Sequence, residues 1–306
     1  MVENKTVFAV DIGGSKLLCG FVSSDGRIID TEKYTLEKNI STDKLESYIL
    51  SAFSALKKRN NALQISSCGI TIPGVADFQN GMWIYACFSG INNYPISERM
   101  SRLLELPVFI ENDANANAWG EKLFGCCKGC EDYIWVTISN SVGSGLVLGG
   151  NLYRGSGLGA GEIGHLVIEK EKPLICPCGH SGCLEAMAAG PAISARYEML
   201  TGKRISALEI SSLARAGNEA ALNVIKKTAF YIGSALGKTA SLLNLQKYVL
   251  GGGVMQSFDL MENDIIDAFK KEAFAAPNQN VIITKTYLGY EAGLMGAAAI
   301  AIEVPN

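Results

Sequence analysis

Long apolar runs are missing. Every hydrophobic stretch of the 306-residue sequence is broken by Gly, Asn or Lys before it reaches bilayer length. The opening "MVENKTVFAVDIGG" has no basic segment followed by an apolar one and a small-residue cleavage site, so it does not read as a secretory signal. Excess charge is missing too. A formal net charge of −3 leaves no electrostatic footprint for nucleic acid or an anionic membrane. No linker rich in Pro, Ser or charge divides the chain, so any two lobes are closely joined. Histidine is nearly absent, with two in the whole sequence, and both fall in one loop. What remains is ordinary for a globular protein: 48% hydrophobic and 19% charged residues, enough for one large domain or two medium ones.

Nine cysteines, scattered and odd in number, would make an awkward disulfide set. They suit a reducing compartment, where most are buried thiols and a tight cluster suggests metal, so a cytoplasmic protein is expected. Cys19, Cys68 and Cys87 lie in strand-like apolar runs and read as core thiols. Cys126, Cys127 and Cys130 of "CCKGC" have no fourth ligand nearby in sequence, which favours ordinary burial over a metal site.

The pattern along the chain is α/β. "TVFAVDIGGSKLLCGFVSSDGRIIDTEKYTL" reads as three strands joined by a Gly turn and an "SDG" turn. "STDKLESYILSAFSALKKRN" reads as a helix capped by Ser41 or Thr42, with Leu45, Ile49, Phe53 and Leu56 on one face. "ISSCGITIPG" and "PVFIEND" read as strands, "ISERMSRLLEL" as a short helix, and "NDANANAWGEKLFG" opens another. The strand–Gly turn–strand device of residues 6–22 returns at 133–153. The later part is helical, with a strand at "KYVLGGGV" and a small-residue helix at "EAGLMGAAAIAI".

Three glycine turns end strands: "DIGGSK", "SVGSG" and "LGGGV". The first is neither a Walker loop nor a dinucleotide fingerprint, because a strand follows it instead of a helix. Singly, such turns are most often plain hairpins. Together they suggest nucleotide phosphates and adenine, since glycine admits close backbone approach and consecutive N–H groups form an anion nest. Asp11, at the end of its strand, has the chemistry to hold a hydrated Mg²⁺. "ENDANANAWGE" puts Glu111, Asn112 and Asp113 where a strand hands over to a helix. That is an ordinary N-cap position. It is also where the helix dipole favours an ionised carboxylate, able to take an alcohol's proton as a general base.

The loop at 161–186, "GEIGHLVIEKEKPLICPCGHSGCLEA", holds both histidines and three cysteines. His165, Cys176, Cys178 and Cys183 make a closed Cys₃His set of the structural zinc type, with His180 as a competing nitrogen ligand. A closed site leaves no place for a catalytic water. Its role would be to orient, with Glu162, His165 and Glu185 forming a polar cluster suited to a polyhydroxylated ligand.

The motifs "DIGGSK", "IPG", "ENDANA", "GEIGH", "CPCGHSGCLE" and "LGGGV" resemble, in order and spacing over essentially the whole chain, those of the ROK family (repressors, open reading frames and sugar kinases). The resemblance implies an actin-like (hexokinase-like) ATPase fold with two α/β lobes and a cleft between. It implies Asp113 as catalytic base, sugar contacts from Gly74, Asn112, Asp113, Glu162, His165 and Glu185, and structural Zn²⁺ on His165, Cys176, Cys178 and Cys183. It further implies ATP and Mg²⁺ near Asp11, Gly13, Gly14, Ser15, Lys16, Asn140 and Gly143, with adenosine near Gly251, Gly252 and Gly253, and a homodimer. Two turns depart from the family pattern. Ser15 stands where its kinases usually carry Thr, and Ser139-Asn140-Ser141 replaces the common Gly-Thr-Gly.

The reading that follows is a cytoplasmic ATP-dependent sugar kinase, most simply glucokinase-like at the 6-hydroxyl. N-acetylmannosamine, fructose, allose and a β-glucoside stay open as substrates. A first lobe is expected over 1–112, completed by the helix 291–304, and a larger one over 113–290 carrying the zinc-binding loop at 165–183. A sugar-sensing repressor would need a DNA-binding segment before the first phosphate strand, and that strand begins at about residue 6. A sugar-binding protein with a decayed nucleotide turn is the other rival.

Overall fold

The computed structural model describes residues 5–86 and 90–305. Two compact units emerge. The first holds the chain through Glu131, Val147–Ala160, and everything from Tyr287; the second holds Asp132–Leu146 and Gly161–Thr286.

The first unit runs β1 (Thr6–Ile12), β2 (Lys16–Ser23), β3 (Ile28–Thr35), α1 (Thr42–Arg59), β4 (Ile65–Ile72), β5 (Val75–Asp77), β6 (Met82–Tyr85), β7 (Asn92–Tyr94), α2 (Ile96–Leu104), β8 (Val108–Asn112) and α3 (Asp113–Leu123). Its main sheet has the order β3-β2-β1-β4-β8. β1–β2 and β2–β3 are antiparallel, as tight turns allow, and β1–β4 and β4–β8 are parallel. Strand periodicity sorts the core onto two faces. Phe8, Val10 and Ile12 pack with Leu45, Ile49 and Leu56 of α1, while Val7 and Ala9 pack with Leu294, Ala297 and Ala298. That double burial is why β1 reads as a nearly unbroken apolar run. α1 begins where expected, with the Ser41 hydroxyl accepting from the Lys44 N–H at 3.3 Å. β5, β6 and β7 form a separate antiparallel sheet.

The chain continues with β9 (Tyr133–Ile138), β10 (Val142–Leu148), β11 (Asn151–Leu152), α4 (Leu184–Ala188), α5 (Gly190–Thr201), α6 (Ala207–Arg215), α7 (Glu219–Leu243), β12 (Lys247–Gly251), α8 (Glu262–Glu272), β13 (Ile282–Lys285) and α9 (Ala292–Ile302). In the second unit the strands follow the order β10-β9-β12-β13, with β9–β12 and β12–β13 parallel. Beyond Leu146 the chain of β10 enters the first unit, where Val147 pairs with Leu152 of β11. α7 and α8 pack closely.

The boundary expected at residue 112 falls inside the first unit, because α3 groups there with α9. Glycine on both helices allows this: a Cβ on Gly120 would lie 3.2 Å from the Gly296 backbone. Cys19 and Cys68 are core thiols, fully buried. Cys87 lies outside the described residues. Cys127 is buried, while Cys126 and Cys130 are half-buried.

Candidate active site

In the first unit, the β1–β2 turn is closed by the Gly13 N–H donating to the Lys16 carbonyl at 2.9 Å. Gly14 and Ser15 are exposed, and Asp11 stands at the base of the turn, partly buried. Its carboxylate accepts from the Thr71 hydroxyl at 3.0 Å. Burial raises the Asp11 carboxyl above its ordinary value, against the opposing pull of Thr71 and of the Lys16 charge. α9 comes so close here that a Cβ on Gly293 would lie 2.4 Å from that carboxylate. The Lys16 ammonium sits 4.3 Å over the ring of Tyr290. An exposed Gly-Gly turn over an enclosed carboxylate, with a lysine at its exit, suits a polyphosphate and a hydrated divalent cation.

The junction of β8 and α3 brings Gly74, Asn112 and Asp113 together. Asn112 caps α3: its side-chain oxygen accepts from the Ala114 and Asn115 N–H groups at 2.9 and 3.2 Å. Its amide nitrogen donates to the Gly74 carbonyl at 2.9 Å. The Asp113 carboxylate accepts from the Ala114 N–H at 2.9 Å, in the first turn of the helix. Asn112 is thus the cap, and Asp113, half-buried, is the first residue of α3. Beneath them Glu111 is buried and paired with Arg154 at 2.8 Å. The sequence gives Glu111 no role and offers no signal for Arg154, 43 residues away.

In the second unit, the β9–β10 turn runs through Ser139, Asn140, Ser141 and Gly143. Asn140 and Ser141 are exposed, and the Ser139 carbonyl accepts from Gly190 N–H at 2.7 Å, at the head of α5. β12 ends at Gly251, and Gly252 and Gly253 follow. Gly252 has φ +89, and a Cβ there would lie 2.5 Å from the Ile138 carbonyl, so no other residue fits beside the β9–β10 turn. The two glycine turns of this unit are thus neighbours.

The Cys/His loop folds on itself through short bridges, Val167 with Cys183 and Ile175 with Ser181. It gathers His165, Cys176, Cys178 and Cys183 so that their ligand atoms all lie within 4.8 Å of one another, uniquely among the described residues. The His165 Nδ1 faces the Cys176 sulfur at 3.8 Å, and its Nε2 lies 3.8 Å from the Glu162 carboxylate. His180 stays outside the set, its Nδ1 3.6 Å from Cys178. Its backbone N–H and ring hold the Cys178 thiol down to about 6, whereas burial pushes Cys183 up to about 12. Three sulfurs and one imidazole at this spacing fit a tetrahedral zinc ion. Glu185, in the first turn of α4, accepts from the Val142 N–H at 3.1 Å, and its other oxygen lies 4.0 Å from the Cys176 sulfur. One carboxylate thus joins the cysteine loop to the start of β10. Cys126, Cys127 and Cys130 form no comparable group among the described residues.

A model of the ROK family matches residues 7–304. A glucokinase of Streptomyces coelicolor is 32% identical over 96% of this chain and 96% of its own. The solved ROK family glucokinase of Streptomyces griseus, in complex with glucose and AMPPNP, superimposes with a TM-score of 0.84 at 29% identity, covering 97% of this chain and 99% of that one. The xylose repressor of Bacillus spizizenii is 28% identical over 96% of this chain and 76% of its own length. The match spans every glycine turn, the β8–α3 junction and the cysteine loop; on that breadth the chain belongs to the ROK family and has its actin-like (hexokinase-like) ATPase fold.

Proposed function

We propose that this protein is an ATP-dependent hexose kinase of glucokinase type, with Asp113 as its general base. The observation that carries the reading is the β8–α3 junction. A carboxylate held at a helix N-terminus stands beside a cap residue whose amide is fixed on the Gly74 carbonyl. An ionised Asp so held takes the proton of a sugar hydroxyl as the oxygen attacks the γ-phosphorus in line. The similarity to glucokinases over nearly the whole chain supports the substrate class, with the 6-hydroxyl of glucose as acceptor.

The remaining roles follow from chemistry. Asn112 and His165 bring N–H donors, and Glu162, Glu185 and the Gly74 carbonyl bring acceptors, a mixture that matches sugar hydroxyls. Gly13, Gly14, Ser15 and Lys16 receive the phosphates, with Asn140 and Gly143 on the second turn, and Gly251, Gly252 and Gly253 would lie against adenosine. Asp11 would hold Mg²⁺, which when bound neutralises charge on the transferring phosphoryl group. His165, Cys176, Cys178 and Cys183 would hold Zn²⁺, leaving the Nε2 edge of His165 turned to Glu162. A homodimer and a cytoplasmic site of action belong to the same reading, to be checked by sedimentation and cell fractionation. Among the described residues no helix is long and apolar enough to cross a membrane.

The test is ATP consumption over a panel of glucose, N-acetylmannosamine, fructose, allose and a β-glucoside. Glucose should give the highest kcat/KM. Asp113→Asn should lower kcat by about two to four orders of magnitude, the usual worth of a general base, while calorimetric glucose affinity stays close to that of the parent. The similarity to a xylose repressor, together with the exposed Asn140-Ser141 turn, favours one second reading, a sugar sensor without turnover. Sugar binding with no ATP consumption on any member of the panel would establish it.

A further inference from the structure

Glu111 and Arg154 are both enclosed, with 2% and 8% of their surface exposed. One Glu111 oxygen accepts from the Arg154 Nε at 2.8 Å. The other accepts from the Asn112 backbone N–H at 2.9 Å and from the Asn115 side-chain amide at 3.2 Å. The guanidinium of Arg154 sits over Phe78, 3.7 Å from the ring centroid, and reaches the Pro305 carbonyl at 3.3 Å. Every one of these residues belongs to the first unit. The carboxylate of Glu111 is therefore gripped from two sides, by a fixed cation and by the backbone of the residue that precedes Asp113.

A buried ion pair is an expensive way to stabilise a fold. Desolvation of the two charges offsets most of their attraction, and well-packed apolar residues of similar volume often do as well. What a hydrogen-bonded pair does better is direction, because planar groups fix each other's orientation while apolar contacts slide. Here the orientation is passed to a backbone N–H at the one turn where position matters to chemistry. Asn112 then transmits it twice, through its cap on Ala114 and Asn115 and through its amide on Gly74. Ala114 in turn holds the Asp113 carboxylate.

We propose that Glu111 and Arg154 are positioning residues: their buried pair fixes the β8–α3 junction so that Asn112 meets the sugar and Asp113 aims at its hydroxyl. The proposal rests on the kinase reading for its effect on turnover and on sugar recognition by Asn112 for its effect on binding. Glu111→Gln keeps the shape and an acceptor for the Asn112 N–H but removes the charge that Arg154 orients on. Glu111→Gln/Arg154→Met removes both charges and leaves no buried ion unpaired, so it serves as the variant least prone to misfolding.

Both variants should melt cooperatively. At saturating substrates, kcat per folded molecule should fall by about tenfold to a hundredfold, the loss expected when a reacting group is displaced by about 1 Å. Calorimetric glucose affinity should weaken several-fold, while the KM for ATP stays at the parental value. A merely structural pair would lower the melting temperature and leave kcat, glucose affinity and ATP KM of the folded fraction unchanged; that result in the double variant overturns the proposal. If the parent consumes no ATP with any sugar, the kinase reading fails. Glucose affinity then decides the positioning role alone, and equal affinity in parent and double variant overturns it.

Discussion

Gly293 shows how much one missing methyl group can govern. Replacing glycine by alanine where the backbone suits it stabilises a protein by about 0.4–1 kcal/mol, so Gly293→Ala, in the first turn of α9, would be favourable if the site were indifferent. The Asp11 carboxylate stands 2.4 Å from where the new Cβ would be, and overpacking of that kind costs about 1–3 kcal/mol. The clash wins, and the softest way to relieve it is to move Asp11 off the Thr71 hydroxyl. We expect the KM for Mg²⁺–ATP to rise on the order of tenfold, as for other displaced site groups. Calorimetric sugar affinity should be unchanged, because no contact of the β8–α3 junction is touched. An unaltered ATP KM in a folded variant would show that Asp11 does not serve the nucleotide. Nothing in the sequence marks this constraint. Asp11 is read there as a strand-end carboxylate suited to Mg²⁺ and Gly293 as one small residue among many, and only the meeting of β1 with α9 relates them.

α1 and α2 are coupled by one carboxylate. Glu46, almost buried on α1, takes two charged hydrogen bonds from Arg99 on α2, one of them at 2.9 Å, and a short one from the Tyr94 hydroxyl. Arg99, with Tyr94 in support, holds the Glu46 carboxyl below its ordinary value of 4.5. A carboxyl depressed on folding contributes stability that is fully present above its unfolded value and is lost as pH falls through the lower folded one. Glu46→Gln should therefore reduce unfolding free energy at pH 7 by about 1 kcal/mol, a small figure because Arg99 is partly in water. The difference should shrink from about pH 4.5 downward, where the unfolded carboxyl begins to protonate. Urea titrations of parent and variant at several pH values measure it; a gap that widens on acidification would contradict the assignment. Both helices are legible in the sequence; the start of α1 follows from the Ser41 cap, and its buried face from the spacing of Leu45, Ile49 and Leu56. β5, β6 and β7 are not legible, since strands of three or four residues carry too few alternations to register. The membership of α3 in the first unit is equally invisible, because it depends on Gly120 meeting Gly296 across most of the chain.

At the scale of the whole molecule, the cysteine loop tests whether a staple or a core maintains this fold. Zinc fingers unfold without metal because they have nothing else. Here the first unit has its own apolar core, the second buries Val136, Ile138, Leu236, Val249 and Leu250 outside the loop, and Cys178 is exposed. Zinc in the proposed site would therefore organise a part of the surface and leave the fold to the cores. The sequence shows the ligand set almost completely, because three cysteines and two histidines fall within a short stretch. It leaves His165 and His180 competing, and loop geometry separates them by turning His165 Nδ1 to the sulfurs. We expect one zinc per chain, and we expect Cys178→Ser to lose it. His165 would then lose the bond that fixes its ring. Glu185 would keep its Val142 N–H but lose the neighbouring sulfur cage that limits its swing. Two sugar contacts should loosen together, and calorimetric glucose affinity should drop by about tenfold to a hundredfold, as for lost supporting contacts of a metal site. The variant should still melt cooperatively and keep its ATP affinity, since none of the three glycine turns lies inside the loop. Metal analysis and paired titrations with glucose and a non-hydrolysable ATP analogue decide it. A zinc-free variant that binds glucose as tightly as the parent would reduce the loop to a clasp, and the sugar contacts of His165 and Glu185 would have to be held by the polypeptide alone.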